Sequence, residues 1–452
     1  MRKYFGTDGI RGEANRELTV ELALKLGYAL GYYLKHKNPL KKKIKVVMGC
    51  DTRISGYMLR SALMAGLTSM GIDIDFVGVI PTPGVAFLTQ NGSAEAGIMI
   101  SASHNPAKDN GIKIFAANGY KLPDAVELEL EELMDNYENI AKECMPGDKV
   151  GKFKYADDKY IAYRDHLLST IRGDFSGMKI IIDAANGSAY RIAKEVFLAL
   201  GAEIVIINDA PNGTNINVKC GSTHPEILSK VVIGYEADLG LAYDGDADRL
   251  IAVDGNGNIV DGDKIIATLA LVMKEKGELN GNKVVTTIMS NMGFENYLNE
   301  KGISLVRANV GDRYVLEKMR AQGLNIGGEQ SGHIILLDHG TTGDGVLTSL
   351  KLVEAIRDSK KSLTELVKEI KDWPQEMINV RVDKDKKNQW NKNENIVSFI
   401  ESKEKELEGF GRVLVRTSGT EPIVRVMVEG ADAKIVSKVV KEIADVVARE
   451  LI

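Results

Sequence analysis

The 452-residue chain has little cysteine, no long apolar run and no strong charge of either sign. Its three cysteines, Cys50, Cys144 and Cys220, form no CxxC pair. That excludes a disulfide framework and a cysteine zinc site, and fits a reducing compartment. No run of about 18 apolar residues occurs, so no membrane-spanning helix is expected. The opening MRKYFGTDGIRG carries no apolar signal core, and the expectation is a soluble cytoplasmic protein with no membrane partner. The net charge of -5, from 58 Lys and Arg against 63 Asp and Glu, leaves no basic footprint for a nucleic-acid partner. If such an acidic chain handles anions, its positive charge must be concentrated locally. What is present is ordinary for a globular protein: 44% apolar and 27% charged residues. The length suggests three or four domains.

One order of events occurs three times. The first stretch begins with the apolar run 44–48. A polar turn (Asp51, Thr52, Arg53), a helical segment 58–70 closed by Gly71, and apolar runs at 72–77 and 96–100 follow, leading into SASHNP. The second has runs at 179–182, 204–207 and 237–242 around a helical segment 191–200 closed by Gly201, and leads into DGDADR. The third has runs at 283–288, 304–306 and 324–326 around 294–300 and Gly302, and leads into GEQSGH. Alternating strands and amphipathic helices predict α/β domains with largely parallel, mixed sheets. Ligands of such sheets bind beyond the carboxyl ends of the strands. The three unusual loops can therefore converge if the units pack around a central cleft. Beyond a break near 372–374 the pattern changes. Strands at 377–382, 412–416 and 423–428, with helices at 391–408 and 434–451, predict a smaller α+β C-terminal domain.

Each loop carries chemistry-bearing residues. In GIMISASHNPAKDNGIKIF, Ser103 lies just past a buried strand and is a candidate nucleophile toward phosphorus; Ser101, two residues earlier, is its rival. A plain polar turn at Asn105-Pro106 remains the alternative. In LAYDGDADRLIAVD, Asp244, Asp246 and Asp248 alternate, and three such carboxylates suit a hard cation such as magnesium. The sixth and twelfth positions, Arg249 and Gly255, exclude an EF-hand. In NIGGEQSGHIILLDHG, Glu329 and Ser331 share a side, suited to sugar hydroxyls, with His333 following; a glycine-rich turn with incidental polar residues reads equally well. In VLVRTSGTEPIVRVMVEG, Arg416 and Arg425 flank Thr417, Ser418, Gly419 and Thr420. This is the local positive charge and a candidate anion-binding turn; a plain hairpin turn is the alternative, though it would not need two flanking arginines. In FGTDGIRG, Arg11 is a candidate phosphate ligand or part of a helix entry.

Together KYFGTDGIRG, GIMISASHNPAKDNGIKIF, DGDADR, GEQSGH and RTSGTEPIVRV stand in the order of the α-D-phosphohexomutase family, and the chain resembles that family over its whole length. The resemblance implies four domains, three α/β and a smaller α+β one, around a central cleft. They are placed at 1–157 (phosphoserine-bearing), 158–257 (metal-binding), 258–372 (sugar-recognition) and 373–452 (phosphate-binding). It implies an isomerase that moves a phosphoryl group on a hexose phosphate. Ser103 would carry that group, and Mg2+ would be held by Asp244, Asp246, Asp248 and a phosphoserine oxygen of Ser103. Arg11, His104, Lys113 and Arg249 would line the reacting centre. Glu329, Ser331 and His333, with Arg416, Ser418, Gly419, Thr420 and Arg425, would bind substrate. A sugar 1,6-bisphosphate would be both intermediate and activator. Gln330 and VGDRYV at 310–315 resemble the branch acting on glucosamine phosphate, whose product feeds UDP-N-acetylglucosamine synthesis. Relatives acting on mannose or glucose phosphate tend to have methionine and histidine where this chain has Gln330 and Asp312, so the general base is left unassigned. A hexosamine phosphate substrate and a monomer or homodimer are the implied partners. The rivals are a phosphomannomutase/phosphoglucomutase, a phosphatase and a non-catalytic phosphosugar-binding protein.

Overall fold

The apolar runs form strands because they are covered on both faces, as parallel strands must be. Ala96–Ile100 and Leu239–Tyr243 are buried at every position, and Lys179–Asp183 at all but its first. In the computed structural model, which describes residues 3–383, 385–417 and 422–451, one strand order recurs three times. The second strand of each unit neighbours the first, then come the third and a fourth. In the first unit these are Asp73–Val79, Lys45–Cys50, Ala96–Ile100 and Asp109–Ala116. In the second they are Glu203–Ile207, Lys179–Asp183, Leu239–Tyr243 and Leu250–Asp254. In the third they are Ser304–Ala308, Lys283–Thr287, Ile326–Gly328 and Ile334–Leu336. The first and third strands run parallel and the fourth returns antiparallel to the third in every unit. The sheets are mixed, as expected. Each chemistry-bearing loop is the connection from third strand to fourth.

Gly71, Gly201 and Gly302 follow the first helix of each unit with φ of 81°, 79° and 66°, the left-handed position that glycine occupies without a side-chain penalty. A second helix in each unit was not anticipated. Thr82–Gln90, Glu226–Gly234 and Asp312–Gln322 cross from the second strand to the third. Thr82–Gln90 is buried over most of its length, so it lacks the polar face that would give it a 3.6-residue period. Glu226–Gly234 contains Val-Val-Ile, a β-like run.

The chain forms two compact units. One comprises Met1–Met289 and Leu305–Lys368 and holds the three mixed sheets. The other comprises Ser290–Ser304 and Glu369–Ile452. There Ile423–Gly430 pairs antiparallel with Gln375–Arg381 on one side and Gly411–Thr417 on the other. Helices Glu394–Glu406 and Ala433–Leu451 cover the sheet through Ile396, Val439, Ile443, Val424 and Val426. Helix Met292–Glu300 joins this unit, its first amide donating to Glu429 at 2.8 Å.

Helix Gly345–Ser359 begins at Asp344, whose carboxylate accepts from the Leu347 amide at 2.9 Å and from the Tyr163 hydroxyl at 2.8 Å. Burial pushes Asp344 up to about 6. A carboxyl raised in the folded state stabilises below its unfolded value near 3.8 and loses that contribution as pH rises through 6. Each pH unit of displacement is worth about 1.4 kcal/mol. Asp344→Asn keeps the cap and removes the proton. Urea unfolding between pH 4 and 7 is therefore expected to show a flatter pH dependence for the variant, with stability at pH 7 equal to or above wild type.

Candidate active site

The three loops meet in the first compact unit. Ser103 sits where Ala96–Ile100 ends, in a left-handed conformation (φ 53°) that a serine adopts only when its surroundings enforce it. Its Oγ donates to Asp244 Oδ2 at 2.5 Å, across to the second loop. His104 Nδ1 lies 3.5 Å from the same Oγ. Burial, with help from Arg249 and Arg11, lowers His104 to about 4, so its ring is neutral at pH 7. The rival Ser101 is fully buried; its Oγ donates to Asp51 at 2.6 Å and accepts from the Ser103 amide at 2.9 Å. Both hydrogen-bonding functions of that hydroxyl are thus occupied, and Ser103 is the serine presented to the carboxylates.

Asp244, Asp246 and Asp248 bring ligand oxygens within 4.8 Å of one another, all buried. Burial, Asp248 and Asp246 raise Asp244 well above the usual carboxylate range. Burial also opposes charge on Asp248, but Lys113 and His333 outweigh it and hold that carboxyl low. Lys113, itself 1% exposed, donates to Asp246 Oδ2 at 2.8 Å, and Thr82 Oγ1 donates to the same oxygen at 2.5 Å. Asp246 Oδ1 and Asp248 Oδ1 are buried with no hydrogen-bond partner among the described residues. Unpartnered buried carboxylate oxygens are costly, and a hard cation is the partner that suits them. The residues therefore fit a magnesium ion, with Ser103 at the Asp244 edge.

Positive charge surrounds this cluster. Arg249 is raised by Asp248 and Asp244 against the opposing effect of burial, and its amide donates to Asp244 Oδ1 at 3.3 Å. Arg11 pairs with Asp8, and its Nε is buried without a partner. Lys113 reaches Asp8 at 3.2 Å, and Lys121 bridges Asp8 and Asp312.

The third loop joins the second directly. Arg249 pairs with His333 in an isolated antiparallel bridge, and the Leu250 amide donates to the Gly332 carbonyl at 3.0 Å. Gly332 has a φ of 92°, and a Cβ there would collide with the Leu250 carbonyl. Glu329 accepts from the Gly311 amide at 3.2 Å and from Ser331 Oγ at 3.4 Å. His333, expected among the substrate-binding residues, lies 3% exposed beneath the loop, facing Asp248 and Asp312 at 3.5 and 3.7 Å. Burial works against its charge, but the two carboxylates raise it to about 9. Gln330 donates to Asp261 Oδ2 at 3.0 Å, so its amide is tied to the cap of helix Gly262–Glu275.

In the C-terminal unit Arg416 and Arg425 are direct partners across the antiparallel pair. Like charges directly opposite repel, and burial with Arg425 lowers Arg416. Among the described residues Arg425 Nε is buried without a hydrogen-bond partner. Ser418, Gly419 and Thr420 lie outside the described residues. Sequence reasoning passed over the contacts of Asp51, Arg53, Thr82, Asn217, Asp8 and Lys121. Asp51 and Arg53, in their polar turn, and Asp8, in FGTDGIRG, gave a signal, and it did not distinguish them from ordinary turn residues.

The sequence matches all four domains of the phosphoglucomutase/phosphomannomutase family. Alpha/beta/alpha domains I, II and III match over residues 2–141, 158–257 and 261–372, and the C-terminal domain over 377–446. The chain belongs to this family. It is accordingly a mutase, an enzyme of the isomerase class. A phosphoglucosamine mutase from Fusobacterium nucleatum is 68% identical over 451 residues, covering 100% of both chains. One from Clostridioides difficile is 50% identical, again over 100% of both. Among solved structures, a phosphoglucomutase/phosphomannomutase family protein from Burkholderia thailandensis has the same fold. Its TM-score is 0.81 at 23% identity, covering 98% of this chain and 97% of that one. An Aspergillus fumigatus N-acetylphosphoglucosamine mutase, solved with GlcNAc-6P and magnesium, shares the fold at a TM-score of 0.68 and 18% identity, covering 100% and 96%.

A cation held by the three carboxylates relieves their repulsion only in the folded chain. Magnesium titration is therefore expected to raise the melting temperature of wild type. Asp246→Asn should lose most of that rise, and an equal rise in the variant would remove Asp246 from the metal site.

Proposed function

We propose that the chain interconverts glucosamine 6-phosphate and glucosamine 1-phosphate, with Ser103 Oγ carrying the phosphoryl group. The observation that carries this reading is the seat of Ser103. Its hydroxyl is hydrogen-bonded to one member of a buried carboxylate triad and lies next to a neutral His104 that feels Arg249 and Arg11. The choice of sugar rests on relatives: the Fusobacterium nucleatum protein, 68% identical over the full length, is named phosphoglucosamine mutase.

O1 and O6 lie on opposite sides of the sugar, so one fixed group cannot pass directly between them. Ser103 solves the geometry. Its Oγ–P bond breaks as a P–O1 bond forms, giving the 1,6-bisphosphate. After the sugar turns, the P–O6 bond breaks and Oγ takes the group back. Free sugar 1,6-bisphosphate would load Ser103 by the same second step, which makes it the activator. Asp244, Asp246 and Asp248 would hold magnesium, which when bound supplies positive charge against the transferring group. Lys113, Arg11 and Arg249 add fixed positive charge around the same centre, where most phosphoryl-transfer catalysis resides. Glu329 and Ser331 would read sugar hydroxyls, and Arg416 and Arg425 would grip the phosphate that is not reacting. The free thiols of Cys50, Cys144 and Cys220 support a reducing cytoplasm as its place of work.

A coupled assay with magnesium and a trace of sugar 1,6-bisphosphate tests this reading. Glucosamine 6-phosphate is expected to be converted at least about tenfold better than glucose or mannose 6-phosphate. Preference for either of the others keeps the mechanism and discards the sugar; release of free phosphate replaces the mutase by a phosphatase. Ser103→Ala should lower turnover by about 1,000-fold or more, and wild-type turnover would end the role of Ser103. Arg416→Ala is expected to raise KM about tenfold or more, and an unchanged KM would exclude that phosphate grip.

A further inference from the structure

The guanidinium of Arg53 is fully buried and all five of its N–H groups are used. Nε donates to Asp51 Oδ2 at 2.9 Å. Nη2 donates to the carbonyls of Ser103 and Asn105, each at 2.8 Å. Nη1 donates to the carbonyls of Pro106 at 2.5 Å and Asp109 at 3.1 Å. Asn217 Nδ2, from the second unit, donates to the same Ser103 and Asn105 carbonyls at 2.9 and 3.1 Å. The amide side of Ser103 is held as well, since its N–H donates to Ser101 Oγ, and Ser101 Oγ donates back to Asp51 Oδ2. The contacts therefore close a ring that runs from the Ser103 carbonyl to Arg53, Asp51, Ser101 and the Ser103 amide.

We propose that Arg53, with Asp51 and Ser101, is a positioning unit that locks the Ser103 backbone in its left-handed conformation and thereby aims Oγ at the Asp244 edge of the carboxylate triad. This rests on the reading of Ser103 as the phosphoryl carrier. A left-handed serine reverts to ordinary backbone unless its N–H and C=O are both fixed. The ring fixes both, and it also gathers the carbonyls of Asn105, Pro106 and Asp109, so that the loop moves as one body. The planar fork of arginine is required, because the three donors of a lysine ammonium cannot serve four carbonyls and a carboxylate together. None of these contacts reaches the sugar-reading loop at Glu329 and Ser331, so losing them should slow transfer to and from Ser103 without weakening sugar recognition.

The test is phosphoryl uptake from sugar 1,6-bisphosphate, followed by intact mass, alongside kcat, KM and melting temperature. Arg53→Lys should lower both uptake and kcat about tenfold or more while KM for the sugar phosphate stays within about threefold. A folded Arg53→Lys that takes up phosphoryl at the wild-type rate overturns the proposal. If that variant does not fold, Ser101→Ala and Asn217→Ala, each removing part of the same hold, should slow uptake about threefold or more with KM unchanged; wild-type uptake in both overturns it equally. Ser103→Ala separates the two readings. No uptake in that variant supports the carrier, whereas wild-type uptake removes the carrier and with it the proposal.

Discussion

Three carboxyl groups whose oxygens lie buried within 4.8 Å of one another need compensating partners, and the architecture of the first compact unit follows from how that need is met. Lys113 comes from the fourth strand of the first sheet, Arg249 from the carboxylate loop itself, and His333 from the loop of the third unit. No single unit supplies all the counter-charge, so the site exists only where the three meet. Among the described residues Asp246 Oδ1 and Asp248 Oδ1 have no hydrogen-bond partner, and a hard cation would suit them. The same shortage of positive charge explains why a hydroxyl sits against Asp244. It satisfies that carboxylate by donating to it at 2.5 Å.

The recurring strand order explains how such a site is reached. In each unit the loop with chemistry joins the third strand to the antiparallel fourth. Such a connection is anchored at both ends by ladder hydrogen bonds to neighbouring strands, which suits loops that must hold side chains accurately. Ser103 and Ala247 both adopt positive φ within these connections, at 53° and 55°. Conformations of that kind cost about 1–3 kcal/mol each and persist where the surroundings over-determine them.

Much of this was legible in the residues. Ala96–Ile100 was read at its observed limits, and the alternating aspartates after Leu239–Tyr243 announced their cluster because carboxylates seldom follow a buried strand without a counter-charge. The crossing helices were not legible, since burial on most faces erased the period in Thr82–Gln90. Arg53 was visible only as a member of a polar turn. Four of its five N–H groups donate to backbone carbonyls 50 to 56 positions away, and a carbonyl leaves no mark in a sequence. Which carboxylate each serine meets likewise needed coordinates: Ser101 Oγ donates to Asp51 and Ser103 Oγ to Asp244. Gln330 was noticed as a mark of one branch, yet its partner is the cap residue Asp261, a contact invisible at the level of motif.

Arg416 facing Arg425 across two adjacent strands has a thermodynamic corollary. The repulsion costs the C-terminal sheet some of its stability, and any anion bound between the two guanidiniums would stabilise the fold of that unit along with the complex. Affinity for the anion and resistance to unfolding are then linked quantities. Two arginines facing each other are, for the same reason, residues that a sheet optimised only for stability would not keep.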